Sequence, residues 1–355
     1  MRLLGRYIAQ SVLVSTLAVL IVIVGLDIVF SLLDELDNLR GDYGFVQVVN
    51  YLLIRLPGRF YLFLPIAILV GVLIGLGNLA ATSELTVMRV AGISIPRLIF
   101  QACKPVFVLL MLAMMASEFW LPSLGQFADT YRWEKLNKID QPNLFASHNL
   151  WLKENNSFYS INVARDDGQL LGIRIFELNE DWSLKKLTIA SRADYLDKGW
   201  QLSNVRNVTF STSQLEEAIF PTLDIKLPIE PQYVALQAFD ADDLPPSQLW
   251  KYADYLESKG QPSGYYWLAF WKKVLLPVTV FAVVLLGASF TFGPLRSVPA
   301  GTRVFHGIVI ALSVKFVQDL LGPSALLWGF NPALAVLVPA IFCAVFGSWF
   351  IYRAR

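Results

Sequence analysis

The chain has 355 residues, of which 55% are hydrophobic and only 16% are charged. Soluble domains of this length are usually about 45–50% apolar and about 25% charged, so the composition excludes an ordinary water-soluble protein. The formal net charge of +1 excludes a general nucleic-acid binder, and the two cysteines, Cys103 and Cys343, exclude a disulfide framework or a zinc cluster.

The apolar residues form long runs on either side of an acidic middle segment. Of the 28 acidic residues, 21 lie between Glu118 and Glu257. A helix needs about 20 apolar residues to cross a bilayer, and such runs predict transmembrane helices at residues 8–33, 60–81, 98–121, 265–292, 304–321 and 332–352. The expected fold is a polytopic α-helical membrane protein: three helices in residues 1–121, an insert in 122–264, and three helices in 265–355.

Arginines beside the helix ends predict the orientation. With six spans, all of these groups fall on one side of the membrane: Arg2, Arg6, Arg89, Arg97, Arg296, Arg303, Arg353 and Arg355. The positive-inside rule assigns that side to the cytoplasm. Both chain ends are then cytoplasmic, and the insert is periplasmic in a cell with two membranes.

The insert is predicted to be mostly β. Residues 158–164, 172–178 and 200–210 show partial apolar alternation, and turn-prone clusters separate these runs. Short strands over about 146–236 are typical of a β sandwich or jelly roll. A short amphipathic helix follows at about 246–260, and its apolar face consists of Leu249, Tyr252, Ala253 and Leu256.

The sequence lacks the residue patterns of a catalytic site. The two histidines, His148 and His306, fall on opposite sides of the membrane in this arrangement. Gly71, Gly75 and Gly77 are not followed by the Lys-Ser or Lys-Thr of a phosphate-binding loop, and small residues four apart favour close helix packing. We therefore expect no enzymatic activity, metal or cofactor in this chain.

Residues 83–92 predict a short helix in a cytoplasmic loop. Ser83 is a good N-cap residue, and Gly92 suits the position after the last turn. A helix of about two turns needs a docking surface. That surface is either its own helix bundle or, as we favour, a groove on a cytoplasmic partner. The expected coupling residues are Glu84, Leu85, Met88 and Arg89.

Ionisable residues inside the predicted spans are candidates for a functional role. Asp27 lies in the first span, while Lys315 and Asp319 lie four apart in the fifth and can also pair with each other. Four arginines lie near the predicted outer mouth and suit the phosphates of an amphiphile. They are Arg40, Arg55, Arg59 and Arg132, and each alone could also be a solvated surface residue.

Three segments resemble the lipopolysaccharide-export permease family. Residues 75–80 (GLGNLA) and 83–88 (SELTVM), with Gly92, resemble its second helix and coupling helix. Residues 292–303 (FGPLRSVPAGTR) are similar to the loop after the fourth helix in the LptG branch, which differs in LptF. Trp151, with Leu150, Lys153 and Asn155 around it, resembles the start of the periplasmic β domain. The resemblance extends over the whole chain.

This resemblance implies one of the two permease subunits of an ABC-type exporter in the bacterial inner membrane. Its implied partners are the sister permease LptF, a cytoplasmic LptB ATPase dimer that uses ATP, LptC, and the periplasmic LptA bridge. Lipopolysaccharide would enter mainly through a gate between helix one of one subunit and helix five of the other. It would then pass through the β domains toward the outer membrane.

The resemblance also implies roles for particular residues. Glu84 matches a coupling-helix acid that contacts the ATPase, and Arg132 matches a basic position associated with headgroup phosphates. Phe63 and Pro65 match apolar positions that line the cavity. The first helix departs from the pattern, because Ser31 replaces a lysine of some members, and Asp37 and Asn38 replace a lysine pair. We expect Arg40, Arg55 and Arg59 to supply the lost positive charge.

Two other functions stay open from the sequence. One is a membrane-anchored periplasmic scaffold or sensor, which needs neither intramembrane charges nor a coupling helix. The other is an ABC permease for a different lipid or a lipoprotein, which would keep the ATPase contact and change the rim of the cavity.

Overall fold

The computed structural model describes residues 2–39, 43–137, 144–145, 150–165, 169–196, 199–210, 215–227, 233, 240–292 and 299–353. The chain divides into two compact units. One consists of Met1–Asn38, Leu52–Gly125 and Pro245–Arg355 and is helical, and the other consists of Leu39–Tyr51 and Gln126–Leu244 and holds a β-sheet.

The helices of the described residues are α1 (Arg2–Leu36), α2 (Phe45–Ala81), α3 (Glu84–Val90), α4 (Ile95–Phe119), α5 (Leu121–Asn137), α6 (Pro246–Ser258), α7 (Gly264–Val274), α8 (Leu276–Phe292), α9 (Ala300–Trp328) and α10 (Pro332–Arg353). Five of them are long and apolar enough to cross a membrane: α1, α2, α4, α9 and α10. The pair α7 and α8 meets the same test when counted as one bent span. The prediction of a polytopic helical protein with up to six spans is confirmed.

The predicted fourth helix, residues 265–292, differs from expectation because it is broken. Its two halves, α7 and α8, meet at Leu275 with a bend of 55°. Pro277 lies at the second position of α8 and carries no N–H group. In a continuous helix its ring would clash with the carbonyl of residue 273 and disfavour the helical conformation of residue 276. The break lies just before this proline, which favours a break there, although Pro57 and Pro65 are accommodated inside the single helix α2.

Two helices differ from the predicted apolar runs: α2 extends beyond its run, and α5 lies outside all of them. α2 has 37 residues, about 55 Å at 1.5 Å per residue, and begins fifteen positions before the predicted span. α5 was not predicted, because its mixed polar and apolar sequence contains no long apolar run. It follows α4 directly after a break at Trp120.

Glycines set the closest approach of α1 and α2. A Cβ atom added to Gly71 would lie 2.7 Å from the backbone nitrogen of Thr16, and one on Gly75 would lie 2.9 Å from Cα of Val12. Neither side could move away easily, because the atoms opposite the glycines include backbone atoms of α1. The predicted role of these glycines in close helix packing is confirmed.

The β-sheet is antiparallel and consists, in the described residues, of β1 (Leu144–Phe145), β2 (Leu150–Glu154), β3 (Ser157–Arg165), β4 (Leu170–Leu178), β5 (Leu184–Leu196), β6 (Gly199–Phe210) and β7 (Leu215–Ile225). β1 and β2 both pair with β3, and from β3 to β7 each strand pairs with the next. The predicted β domain is confirmed. From β3 to β7 the described strands form an antiparallel meander, and their arrangement in a sandwich or jelly roll stays a prediction.

A row of apolar side chains crosses the centre of this sheet. Ile161 pairs with Ile173, Ile173 with Ala190, and Ala190 with Val205. All four side chains are at most 1% exposed, and strand residues that share a face bury it together. One face of β3 to β6 therefore carries the core of this unit.

The amphipathic helix α6 agrees with its prediction. The four residues assigned to its apolar face, Leu249, Tyr252, Ala253 and Leu256, are all buried. Gly260 has a positive φ of 66°, and the N–H of Gln261 bonds to the carbonyl of Leu256 at 2.9 Å, as in a Schellman motif. The ring of Tyr252 packs edge-on against Tyr266 of α7 at 4.6 Å. Burial raises the pKa of the Tyr252 hydroxyl, and Tyr266 adds to the rise.

Candidate functional site

The predicted coupling helix is present as α3, and its C-terminal end has the expected form. Gly92 has a φ of +87°. Its N–H bonds to the carbonyl of Arg89 at 3.0 Å, and the N–H of Ile93 bonds to the carbonyl of Met88 at 3.1 Å. This pair of bonds is a Schellman motif, in which glycine is favoured because the left-handed backbone carries no Cβ.

The N-terminal end of α3 differs from the prediction. Ser83 lies in the left-handed region with a φ of 62°, and its side chain makes no capping hydrogen bond. An N-cap side chain reaches the first N–H groups only from an extended backbone. The first turn is closed instead by the Ser83 carbonyl, which accepts from the N–H groups of Thr86 and Val87.

The apolar residues of α3 that we expected to be exposed are buried, and two other apolar residues are exposed. Leu85 and Met88, which we expected to face a partner, are 3% and 7% exposed and belong to the core of the helix bundle. The exposed apolar side chains are Val87, at 67%, and Val90, at 84%. The larger side chains therefore anchor this short helix to its own bundle, and the valines form a surface that we call the valine face.

Glu84 is held by two neighbours inside the same chain. Thr82 donates a hydrogen bond from Oγ1 to Oε1 of Glu84 at 2.9 Å. The hydroxyl of Tyr7, near the start of α1, also interacts with the Glu84 carboxylate. These contacts place the N-terminal end of α1 on the same side of the bundle as α3. Arg89 lies half-buried in the last turn of α3, where its positive charge interacts favourably with the helix dipole.

Three residues singled out separately in the sequence meet between α1 and α2. Nη1 of Arg59 forms an ion pair with Oδ2 of Asp27 and donates a hydrogen bond to Oγ of Ser31 at 2.6 Å. The side chains of Arg59 and Asp27 are 19% and 27% exposed. Asp27 therefore neutralises the positive charge that we expected Arg59 to add at the outer mouth, and a contact of Arg59 with substrate stays a prediction.

The remaining predicted substrate residues lie in different surroundings. Arg55 is half-buried one turn before Arg59 on α2. Phe63 packs partly buried against the bundle core, and Pro65 lies partly buried inside α2. Arg132 belongs to the sheet-containing unit, where its guanidinium lies 5.7 Å from the ring centroid of Tyr51. Arg40, His148 and the loop at 293–298 lie outside the described residues.

The pairing that the sequence allowed for Lys315 and Asp319 is confirmed. Nζ of Lys315 lies 3.1 Å from Oδ2 of Asp319, one turn away on α9, and both side chains are 48% exposed. In the described part of the chain, no group of three or more His, Cys, Asp or Glu residues could hold a metal ion.

Two helices leave most of their apolar surface uncovered in the single chain. Only 22% of the most apolar part of α1 and 17% of that of α9 are buried, against 61% for α2. Their exposed side chains include Val14, Leu17, Ile21, Phe305, Leu312 and Phe316. Surfaces of this kind can face lipid or a second membrane subunit.

The arrangement agrees with comparisons to known proteins. The model of the family "Lipopolysaccharide export system permease LptF/LptG" matches residues 6–353. The chain is 31% identical over 354 residues to the lipopolysaccharide export system permease protein LptG of Escherichia coli strain K12, over 99% of this chain and 98% of that protein. It is 29% identical over 355 residues to LptG of Haemophilus influenzae strain Rd, over 99% of both chains. The chain therefore belongs to the LptF/LptG family of lipopolysaccharide export permeases.

Proposed function

We propose that this protein is a permease subunit of a lipopolysaccharide exporter whose energy comes from a separate ATPase. The family match over residues 6–353 carries this proposal, since it includes all the candidate spans from α1 to α10, the short helix α3 and the β-sheet. A scaffold or sensor would need only an anchor for its β domain. A family match that includes all the candidate spans and α3 therefore does not favour a scaffold or sensor.

The proposed partners correspond to surfaces of the chain. A sister permease, LptF, would cover the exposed faces of α1 and α9, and a lateral gate for lipid would lie there. An LptB ATPase dimer would bind the valine face of α3, with Glu84 and Arg89 at its edge. LptC and the LptA bridge would receive lipid from the β domain.

The proposed orientation places both termini in the cytoplasm and the β domain in the periplasm of an inner-membrane protein. The contact between Tyr7 and Glu84 supports it, because Arg6, Arg89 and Arg97 then lie on one side of the bundle. A concentration of arginines on one side marks the cytoplasmic side.

The proposed mechanism is mechanical, and the placement of α3 explains how motion is transmitted. ATP binding would close the ATPase dimer and push on the valine face. Because Leu85 and Met88 are embedded in the bundle core, a push on α3 displaces the packed helices. Extraction of acyl chains costs about 0.8 kcal/mol per CH₂ exposed to water, so a collapsing protein-lined cavity must deliver the lipid directly to the β domain.

Mild purification of the tagged full-length chain from its native membrane, followed by mass spectrometry of bound proteins and lipids, tests this function. We expect an ATPase, a sister permease and lipopolysaccharide to be recovered together, and to be absent from a parallel purification of untagged cells. Recovery of an ATPase with a different lipid would change the substrate. Repeated absence of any ATPase would overturn the exporter function.

A further inference from the structure

The ion pair between Asp27 and Arg59 lies between two largely apolar helices, α1 and α2. Their contact also contains a hydrogen bond from the Ser11 hydroxyl to the carbonyl of Gly75 and the buried Thr16, but both lie more than two turns before Asp27 on α1. Asp27 lies in the C-terminal third of α1, and Arg59 faces it from α2. Leu20 and Val24, the nearest buried residues of α1 on the N-terminal side, are apolar. The pair carries no net charge, and Ser31 on the next turn of α1 supplies a second acceptor for Arg59.

Packing does not require this pair. The approach of α1 to α2 is already fixed by Gly71 and Gly75 against Thr16 and Val12. An ion pair removed from water loses much of its attraction to desolvation, and apolar residues of similar volume often stabilise a protein as well or better. Charges within membrane helices therefore point to a functional role.

The Arg59 guanidinium has unused binding capacity. A guanidinium has five N–H donors, and both described partners of Arg59 contact its Nη1 atom. Its Nε atom is buried and has no hydrogen-bond partner among the described residues. A phosphate monoester could bind such a group bidentately, since it offers three acceptor oxygens and a charge of about −1.5 to −2.

From this geometry we infer that Asp27 is a specificity-determining residue: it is an internal counter-ion that only a lipid with phosphate monoesters displaces from Arg59. This inference rests on the proposed function. The phosphodiester of an ordinary phospholipid carries a single negative charge, as Asp27 does, and must compete with a carboxylate that is already in place. A phosphate monoester carries more charge and can engage both edges of the guanidinium.

Lipid retention by the purified full-length complex in nanodiscs tests the inference. The nanodiscs contain equal amounts of a bis-phosphorylated lipid A and phosphatidylglycerol, and native mass spectrometry measures how much of each lipid the protein retains. We expect wild type to retain lipid A preferentially. Asp27→Asn should retain about tenfold more phosphatidylglycerol, because the freed guanidinium gains a charged hydrogen-bond partner. Asp34→Asn, which removes an exposed carboxylate from the same helix, should behave as wild type.

The direction in which phosphatidylglycerol retention changes distinguishes a role of Asp27 in lipid specificity from a purely structural role. A purely structural ion pair predicts that Asp27→Asn lowers the unfolding temperature and the retention of both lipids together. Phosphatidylglycerol retention that stays at or below the wild-type level would overturn the inference. If wild type shows no preference for lipid A, the proposed substrate fails as well, which is a distinct result.

A second variant covers the case in which Asp27→Asn does not accumulate. Ser31→Ala keeps every charge and removes one of the two described acceptors of Arg59. It should shift retention toward phosphatidylglycerol by about threefold, since a neutral hydrogen bond contributes less than a charged one. Asp27→Glu should retain the wild-type preference. An unchanged lipid ratio in Ser31→Ala would count against Asp27 as a displaceable counter-ion.

Discussion

Val87→Glu should release the ATPase from the permease while the helix bundle stays folded. Val87 is 67% exposed and lies on the valine face of α3. In the proposed complex that face is covered by the ATPase, and a carboxylate buried there without a partner is strongly disfavoured. We expect association to weaken at least tenfold, about 1.4 kcal/mol, measured by pull-down of the ATPase and by lipid-stimulated ATP hydrolysis.

Leu85→Ala is the matched variant on the opposite face of the same helix. Leu85 is 3% exposed in the bundle core, and truncation of a buried leucine costs about 2–5 kcal/mol. We expect a lower unfolding temperature for Leu85→Ala and an unchanged one for Val87→Glu. The opposite pattern, with ATPase loss from a stable Leu85→Ala variant, would mean that the docking face is the one that the sequence indicated.

For α3, the sequence predicted the helix and its C-terminal end but not which of its faces is buried. The helix and its end at Gly92 could be predicted, because glycine chemistry and short-range spacing determine them. The buried face could not. Leu85 and Met88 form one apolar pair at a spacing of three, and Val87 and Val90 form another. Spacing alone does not choose between them, although the greater size of leucine and methionine indicated which pair gains more from burial.

The membrane charges show a similar division. Lys315 and Asp319 are one turn apart, so their pairing followed from helix geometry. Asp27 and Arg59 are separated by 32 positions and meet only through the packing of two helices. Their charges were visible in the sequence, but the register of α1 against α2 was not. That register depends on the contact of Gly71 and Gly75 with α1.

The break between α7 and α8 was missed although a residue that favours it, Pro277, lies in the predicted apolar run. Residues 265–292 contain no charged residue other than Lys272 and Lys273, so a single helix was expected. Pro277 supplied the contrary signal, since a proline in a helix interior removes one hydrogen bond and clashes with the preceding turn. Pro57 and Pro65 nevertheless lie inside the single helix α2, so a proline marks where a helix can break without deciding that it does.

Gly71→Ala should destabilise the helix bundle, because it places a new methyl group against the backbone of α1. The new Cβ would lie 2.7 Å from the backbone nitrogen of Thr16. Relief would require α1 and α2 to separate, because backbone atoms cannot rotate away as a side chain can. Overpacking of this kind costs about 1–3 kcal/mol, and we expect a clear fall in the unfolding temperature of the purified complex.

Gly58→Ala, on the same helix, provides the control with the opposite sign. No atom lies within 4 Å of its added Cβ, and alanine stabilises a helix interior by about 0.5–1 kcal/mol relative to glycine. Equal unfolding temperatures for the two variants would show that α1 and α2 are not in close contact.

Because the same contact sets the register of Asp27 against Arg59, Gly71→Ala should also lower the preference for lipid A over phosphatidylglycerol. Gly58→Ala should leave that preference unchanged, which separates a shift in register from a general effect of changing α2.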